Sequence, residues 1–534
     1  MTIHEQLYFG GEIYTVDPLK PTVEALAVKE GMIVAVGSKS DCRSALGATP
    51  ELVDLEGSVM LPGFIDTHLH PPLMMLFEMN IDLSKITSIE DLKAIISKKA
   101  KGENEEEWIM GLQFDENLLD PPRLLNRHDL DAACSDKPVL IVKRDGHTII
   151  GNTAAIEAAS VSASTSDPDG GKIEREKDGY PSGVFSETAM SILLEKVPFP
   201  ELETIMEAGI SVFDRIARQG ITSVGMILQT DDEGVSGSKG IYDIPLMELL
   251  LDRIPINLYT LLVTKDIEKI ASLKPSKFHK QGMASGRRIG GMKFWADGTL
   301  SSCTAYMQRP FSDFPDRKGL LIHSSDEMYN RMAAAHKAGE QIAIHSIGDE
   351  STRICVDLYD RLLKEYPTSS HRHRLEHASQ LDSQLIKDIA RLNLVVSTQP
   401  MFIHSEKEWL PKRLGPERTP WTYAFRSLID AGVTVAGASD APIEELSVLQ
   451  AIGCCVTRED FEPQQRITAE EAVQLFTINA AYAQFEESVK GSLTKGKRAD
   501  MVLLDKNPVS VLPDEIKHIQ ILQTICGGIP IYSV

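Results

Sequence analysis

Apolar runs alternate with amphipathic segments through the middle of this chain. Eight runs have the composition of buried strands, and they cover residues 59–70, 221–227, 256–264, 291–295, 341–345, 373–377, 394–399 and 434–439. Helical patterns lie between most of them, and Gly220, Gly339 and Gly432 follow three of these patterns as helix stops. Strands that alternate with helices indicate a parallel sheet, and the count of eight predicts an α/β fold of the (β/α)8 TIM-barrel type. A further helix is predicted to begin at Thr468, with Glu471 completing a capping box.

Both ends of the chain have the pattern of short strands. Near the start, QLYFGGEIYTV and ALAVKEGMIVAVG are apolar stretches broken by Gly10-Gly11 and Glu30-Gly31, which are hairpin signals. The last 45 residues show the same pattern in ADMVLLD and IQILQTICGGIPIYSV. We therefore predict a small composite β-sandwich domain, residues 1–58 and 488–534, around a barrel of residues 59–487.

The barrel region is longer than the roughly 250 residues typical of the fold. The surplus follows the first strand, at about residues 72–200, and holds strand-like runs at residues 108–114 and 139–143. It also holds a polar stretch, residues 162–183, which we expect to be a loop. We interpret this region as an insertion after barrel strand 1, placed over the C-terminal mouth of the barrel.

Composition narrows the class of protein. Of 534 residues, 42% are hydrophobic and 25% charged, as in a soluble globular protein, and the net charge is −22. Strong acidity argues against binding to nucleic acid or to anionic membranes. The chain shows no signal peptide and no apolar run of the roughly 20 residues that span a bilayer. Seven cysteines, an odd and sparse number, fit free thiols in a reducing compartment, so a cytoplasmic location is expected.

The sharpest chemical signal is the segment FIDTHLH, which closes the first predicted barrel strand. Side chains alternate along a strand, so His68 and His70 point to the same side. At the C-terminal end of a barrel strand, that side is the usual place of an active site. Two imidazoles on one face can chelate a metal ion, although two surface histidines would give the same pattern.

Four more residues strengthen the metal interpretation. His345, His377 and Asp440 end further predicted strands, and Lys293 lies inside another. Imidazole and carboxylate ligands suit zinc and related divalent ions. Four histidines and an aspartate at the ends of four strands are hard to explain as unrelated structural residues, so the pattern predicts a metal centre.

Lys293 lies within a strand where burial of an ammonium group is costly. One interpretation is an ion pair with a carboxylate such as Asp297 or Asp440. The other is that burial leaves the amine neutral and nucleophilic, so that it reacts with carbon dioxide. The resulting carbamate has two oxygens and can bridge two metal ions. We favour the carbamate.

These segments together resemble the amidohydrolase superfamily of metal-dependent hydrolases. More narrowly, the sequence is similar to the amidohydrolase 3 group, the YtcJ-like proteins that include N-substituted formamide deformylases. The resemblance runs over nearly the whole chain, through the segments GFIDTHLH, GMKFWADGTLSSCTA, AIHSIGD, HRHRLEHAS, STQP, GASDAP, FTINAAYA and GSLTKGKRADMVLLD.

The resemblance implies a role for each candidate residue. His68 and His70 would hold one metal, and Lys293, as a carbamate, would bridge to a second metal held by His345 and His377. Asp440 would contact the first metal and act as catalytic proton shuttle. The resemblance leaves the number of ions at one or two, and we expect Zn²⁺.

The expected activity is hydrolysis of a small molecule at an amide-type C–N bond, other than a peptide bond, by metal-activated water. Deamination or ester hydrolysis by the same centre is an alternative, and a non-catalytic scaffold on this fold is a weaker one. The group's pattern also has a histidine at His147, which would either contact substrate or serve as a structural turn residue. The sequence leaves the assembly open, a homodimer being one option, and identifies no substrate.

Overall fold

The structure is a computed structural model that describes residues 4–102, 108–144, 146, 148–168, 171–187, 189–231, 233, 237–280 and 286–534. Contacts between backbone positions divide the chain into two compact units. One unit comprises Met1–Pro72 with Gly209–Val534, and the other comprises Leu73–Ala208. His147, one of the predicted site residues, lies outside the described residues.

Strands from both chain ends share one mixed sheet in the first unit. Its order is β22-β21-β20-β5-β1-β2-β3, with β4 beside β1. The strands are β1 Glu5–Tyr14, β2 Thr22–Lys29, β3 Met32–Gly37, β4 Glu51–Asp54, β5 Val59–Pro62, β20 Met501–Leu504, β21 Ile521–Cys526 and β22 Ile529–Ser533, and helix α1 is Lys39–Ser44. The turn at Glu30-Gly31 joins β2 to β3, as predicted, with φ of 51° and 76° at its two residues. The predicted hairpin at Gly10-Gly11 is wrong: β1 continues through it with a shift of register, because Gly10, at φ 81°, accommodates a bulge.

Eight parallel strands form a nearly closed barrel in the same unit, which confirms the predicted fold class. In order around the barrel they are β6 Phe64–Leu69, β13 Ile221–Gln229, β14 Asn257–Val263, β15 Arg287–Trp295, β16 Gln341–Ser346, β17 Arg374–His377, β18 Val395–Thr398 and β19 Thr434–Gly437. Backbone hydrogen bonds join the first and last strands just past their ends. The N–H of Asp440 donates to the carbonyl of His68 at 2.8 Å, and the N–H of His70 donates to that of Ala441 at 2.9 Å.

Helices precede or follow each barrel strand after the first. They are α7 Leu202–Arg218, α8 Asp243–Leu250, α9 Ile267–Leu273, α10 Ser325–Lys337, α11 Asp349–Glu365, α12 Ser383–Arg391, α13 Met401–Glu406, α14 Leu410–Leu414, α15 Phe425–Asp430, α16 Val448–Thr457, α17 Ala469–Leu475 and α18 Ile478–Ala483. The three predicted glycine stops all have left-handed φ values, between 73° and 81°. The predicted capping box is present, since the Thr468 and Glu471 side chains each bond the other's backbone N–H.

The apolar run at residues 59–70 is two strands rather than the single strand predicted. Val59–Pro62 pairs with β1 and β20 in the mixed sheet, and Phe64–Leu69 opens the barrel. Gly63 lies at the break, where a Cβ atom would stand 2.4 Å from the Thr222 side chain. Past Gly63 the chain changes partner, since the N–H of Phe64 donates to the carbonyl of Gly220 at 2.9 Å.

The second unit is built on its own sheet of six strands, in the order β11-β12-β10-β9-β8-β7. Its strands are β7 Ile81–Asp82, β8 Ile109–Phe114, β9 Val139–Lys143, β10 Thr148–Gly151, β11 Gly171–Arg175 and β12 Pro181–Glu187, and the helices of this region are α2 Pro71–Met79, α3 Ile89–Ala100, α4 Arg127–Asp131, α5 Thr153–Ala158 and α6 Met190–Leu194. The predicted strands at residues 108–114 and 139–143 are confirmed. The predicted loop at residues 162–183 is wrong in part, because β11 lies within it; only Ile173 of that strand is buried, which hides the strand from a hydrophobicity pattern.

Short 3-10 helices complete the description: Glu116–Leu118, Gly237–Tyr242, Thr419–Trp421, Arg458–Asp460, Pro463–Gln465 and Pro513–His518. In the part of the chain that the structure describes, every helix falls short of the length and apolar character needed to cross a membrane. All seven cysteines are buried and free of disulfide bonds.

Candidate metal centre

The barrel brings six of the predicted site residues to buried positions at or near strand ends. His68 is the last residue but one of β6 and His70 follows that strand, Lys293 lies in β15, His345 lies in β16, His377 ends β17, and Asp440 comes three residues after β19. Each is 7% exposed or less. Parallel strands end at one side of a barrel, so residues far apart in sequence meet there.

Three of these residues form a compact group of ligand atoms. His70 Nε2 lies 3.1 Å from Asp440 Oδ1 and 3.3 Å from His68 Nε2, and His68 Nε2 lies 3.5 Å from the same Asp440 oxygen. A tetrahedral zinc ion about 2.0–2.2 Å from nitrogen and oxygen ligands would hold them roughly 3.3–3.6 Å apart. The donor types and their separations therefore fit a divalent metal ion.

His345 and His377 lie next to this group. The rings of His345 and His377 are 4.4 Å apart between centroids, and those of His377 and His68 are 5.2 Å apart. His377 Nδ1 lies 2.8 Å from Gln399 Oε1, and His345 Nε2 lies 3.1 Å from the Gly298 carbonyl oxygen. Each of these contacts uses one ring nitrogen and leaves the other to bind an ion.

Lys293 is fully buried, and no residue that the structure describes forms a hydrogen bond with its Nζ. The Nζ atom lies 4.0 Å from the centre of the Trp295 ring.

Among the described residues, no carboxylate lies within ion-pair distance of Lys293. Asp297, one of the partners considered for an ion pair, instead accepts hydrogen bonds from the backbone of Tyr306, Ile347 and Gly348. Burial lowers the pKa of Lys293 to about 8, so a neutral amine is accessible near neutral pH.

The electrostatics of the group suit a cation. Burial lowers the pKa of His68 to about 3, against the opposing effects of Asp440 and Glu376. Burial also tends to raise the pKa of Asp440, but His68, His70 and His377 outweigh it and hold that pKa well below the usual range. Neutral imidazoles and an ionised carboxylate are the protonation states that bind metal ions.

Two of the candidate ligands have strained backbones. His377 has φ of 72° and Asp440 has φ of 61°, in the left-handed region that favours glycine. Such a conformation costs on the order of 1–3 kcal/mol per residue and is typical of functional sites. Here it occurs where the chain leaves a strand and turns a side chain toward the centre.

The ligands are held in place by residues that the sequence pattern does not single out. Glu376 lies 2.5 Å from His68 Nδ1, and Arg374 donates to Glu376 from the same strand. Asp66 accepts from the backbone N–H groups of His68 and Ser439. The charged residues Arg374 and Glu376 can be recognised in the sequence because they interrupt the buried segment RLEH. The contact of this pair with His68 cannot be recognised from the sequence.

A second cluster of ligand-type side chains lies elsewhere among the described residues. It contains Glu233, His323 and Glu327. The Arg331 guanidinium already binds Glu233 through two nitrogens, at 2.5 and 2.8 Å, and neutralises its charge. Glu327 is also exposed. This cluster is therefore a poorer cation site than the one at the barrel strand ends.

The chain is similar to known proteins over nearly its whole length. The model of the amidohydrolase family matches residues 51–532. The putative amidohydrolase YtcJ of Bacillus subtilis is 28% identical, with 99% of each chain covered. The N-substituted formamide deformylase of Arthrobacter pascens is 25% identical, again with 99% of each chain covered. The crystal structure of an uncharacterized metal-dependent hydrolase from Pyrococcus furiosus superposes with a TM-score of 0.76 at 26% identity and covers 95% of this chain and 100% of that one.

Proposed function

This chain belongs to the amidohydrolase family of metal-dependent hydrolases, and from that premise we propose that it hydrolyses an amide-type C–N bond in a small molecule. The observation that supports the proposal most is the buried triangle of His68 Nε2, His70 Nε2 and Asp440 Oδ1, with sides of 3.1 to 3.5 Å. A relative that spans the whole chain is named for cleavage of N-substituted formamides, which contain such a bond.

His68, His70 and Asp440 would hold the first metal ion, and His345 with His377 would hold a second. We propose Zn²⁺ as the ion, since imidazole and carboxylate ligands suit it. When bound, the metal would lower the pKa of a water molecule and polarise the substrate carbonyl.

Lys293 is proposed to carry a carbamate. Its neutral Nζ would bond to the carbon of carbon dioxide while the π electrons of one C=O bond move to oxygen, and the proton released from nitrogen would pass to solvent. This converts a buried amine into an anion with two oxygens. Two observations support this step: Nζ has no hydrogen-bond partner among the residues of known placement, and its pKa is about 8. The two carbamate oxygens would add to the ligand sets of the first and second proposed metal ions.

Asp440 is proposed as the proton shuttle. Its carboxylate would take a proton from the attacking water, whose oxygen bonds to the carbonyl carbon. It would then deliver that proton to the leaving nitrogen as the C–N bond breaks. The products are a carboxylic acid and an amine. The contacts of Asp440 Oδ1 with His68 and His70, which are proposed to hold the same metal ion, support this role.

The test is a panel of N-formyl, N-acyl and cyclic amides, with matched esters and amidines, added to zinc-loaded protein. We expect release of amine and acid in equal amounts from at least one amide, and none from metal-free protein. Hydrolysis confined to the esters, or ammonia release confined to the amidines, would contradict amide cleavage while leaving the metal centre intact. A protein that purifies and reconstitutes without stoichiometric metal would instead be a scaffold.

A further inference from the structure

Arg374 and Glu376 form a charged pair inside the barrel. They stand two residues apart on β17, so their side chains lie on the same side of the strand. Both are completely buried. Arg374 Nε donates to Glu376 Oε1 at 2.6 Å, and an Arg374 Nη nitrogen donates to Oε2 at 2.9 Å, which makes the pair bidentate.

Both members of the pair reach across the barrel to β6. Glu376 Oε2 lies 2.5 Å from His68 Nδ1. The same Arg374 nitrogen that bonds Oε2 also donates to the carbonyl oxygen of Thr67 at 2.9 Å. The pair therefore contacts the imidazole of His68 and the peptide group that precedes it, although 308 residues separate Glu376 from His68.

This buried ion pair is not well explained by a contribution to the stability of the fold. Removing two charges from water costs several kcal/mol per ion, and a buried ion pair is often no more stabilising than apolar residues of similar size. The second Nη nitrogen of Arg374 is buried and finds no hydrogen-bond partner in the described part of the chain, which adds to the cost. The contact with His68 supplies the missing reason.

We propose that Arg374 and Glu376 are positioning residues that fix the tautomer and orientation of His68. With the His68 proton held on Nδ1 by Glu376, the lone pair of Nε2 faces His70 and Asp440, at 3.3 and 3.5 Å. Arg374 holds the carboxylate against the ring and ties it to the backbone of β6. This inference rests on the metal centre of the proposed function, and it holds whatever bond the enzyme cleaves. A carboxylate that orients a metal-binding histidine typically contributes 10- to 100-fold to metal affinity.

The test measures Zn²⁺ binding to metal-free full-length protein by competition with a chromophoric chelator. Glu376→Gln should weaken binding by roughly 10- to 100-fold. The matched control is Glu487→Gln, which removes the carboxylate from another bidentate pair, with Arg372 at 2.7 and 2.8 Å. The control should bind Zn²⁺ as the wild type does. Equal affinity of Glu376→Gln and wild type would overturn the proposal.

Glu376→Gln leaves Arg374 buried without its counter-charge, so this variant is expected to lose stability as well. The double variant Arg374→Met with Glu376→Gln removes both charges. We expect it to regain thermal stability but not Zn²⁺ affinity. If it regains both, the pair has only a structural role and the proposal is wrong.

A spectroscopic signature tests the tautomer directly. In metal-free protein labelled with ¹⁵N-histidine, the wild type should show a low-field Nδ1 proton that disappears in His68→Ala. This resonance should move upfield in Glu376→Gln and stay unchanged in Glu487→Gln. A His68 proton found on Nε2 in the wild type would overturn the proposal. Zn²⁺ binding without cleavage of any amide would defeat the proposed activity and leave this inference standing.

Discussion

Single residues of the centre differ in how firmly the surrounding structure holds them. His68 is bonded through Nδ1 to Glu376, and His377 through Nδ1 to Gln399. His70 contacts its neighbours through Nε2, the atom proposed to bind metal. Asp440 is held through its backbone by the carbonyl of His68. The ligands are thus fixed by neighbours that sequence inspection could not pair with them.

Replacing His70 tests the first metal ligand set. We expect His70→Ala to lose bound zinc and turnover. Loss of a residue that only hydrogen-bonds a metal ligand typically lowers metal affinity 10- to 100-fold, and loss of His70 itself should lower Zn²⁺ affinity by at least that much. Zinc per chain by atomic emission and turnover on the best amide are the measurements. His518→Ala, a change at an exposed histidine, is the control and should behave as wild type. Normal zinc content in His70→Ala would remove His70 from the ligand set.

Asp440→Asn separates proton transfer from binding. The amide keeps the size of the side chain but cannot act as a base, so we expect a loss of at least roughly 10²-fold in turnover. The loss should appear in kcat more than in KM, because the proton moves in the transition state. Steady-state kinetics with zinc-saturated protein provide the measurement. A near-normal kcat would show that another residue carries the proton.

The carbamate proposed on Lys293 can be observed without activity. Protein loaded with zinc in ¹³C-bicarbonate should show a carbamate carbon signal that is absent from Lys293→Ala. The variant should also bind less zinc, and a small carboxylic acid should restore part of it by supplying oxygens. A wild-type spectrum without the signal, at full zinc occupancy, would contradict the carbamate.

Secondary-structure elements were predictable where local pattern determines them. The eight barrel strands, the glycine helix stops and the capping box at Thr468 depend on neighbours along the chain, and all were found. Three errors arose where tertiary contacts determine the structure, and the first is at Gly10-Gly11, where β1 continues with a shift of register instead of turning back. The run at residues 59–70 divides between two sheets at Gly63, and β11 is recognisable only from its pairing with β12.

The candidate site also contains residues that the sequence predicts and residues that it does not. His68, His70, His345, His377 and Asp440 could be selected because each follows an apolar strand in a known type of barrel. Arg374 and Glu376 lie in the same kind of segment, but their importance depends on contacts with β6, more than 300 residues away. A single sequence contains no record of which distant side chains touch.

The fit between β6 and β13 can be tested with one methyl group. A Cβ atom at Gly225 would lie 2.1 Å from the carbonyl oxygen of Thr67, directly before His68. We expect Gly225→Ala to cost at least about 1–3 kcal/mol of stability, typical of overpacking, and to weaken Zn²⁺ binding by displacing β6. Urea unfolding and chelator competition are the measurements.

Gly339→Ala is the matched control for Gly225→Ala. Gly339 has φ of 76° but open space around its Cβ position, so only a conformational cost of about 1 kcal/mol is expected. Its Zn²⁺ affinity should match that of the wild type. If Gly225→Ala binds Zn²⁺ as tightly as Gly339→Ala does, close packing of β6 does not govern the site.

The stability of the whole molecule should depend on buried histidines outside the centre. His371 and His373 lie at the opposite end of β17, and burial lowers the pKa of His371 and holds that of His373 well below its usual value. His373 Nδ1 accepts from the backbone of Ile342, and its Nε2 lies 2.8 Å from His336 Nδ1. Because Nδ1 is the acceptor, a second proton on His373 would add there and break the hydrogen bond from Ile342.

Acid should therefore destabilise the metal-free protein. The unfolded chain takes up protons below about pH 6.5 while the folded state resists them, so the free energy of unfolding should fall as pH drops from 7 toward 5. Each such histidine contributes a slope of up to about 1.4 kcal/mol per pH unit. Urea unfolding at pH 7, 6 and 5 measures it. His373→Gln removes one such histidine and should reduce the slope by up to about 1.4 kcal/mol per pH unit. An unchanged slope would show that His373 does not contribute.

The most direct test of the account is the position of the bound metal. Crystals of zinc-loaded protein, measured at the zinc absorption edge, would give an anomalous difference map. We expect a peak among His68 Nε2, His70 Nε2 and Asp440 Oδ1, and any second zinc peak beside His345 and His377. A zinc peak at Glu233, His323 and Glu327 with none at the barrel strand ends, or no ordered zinc at all, would contradict it.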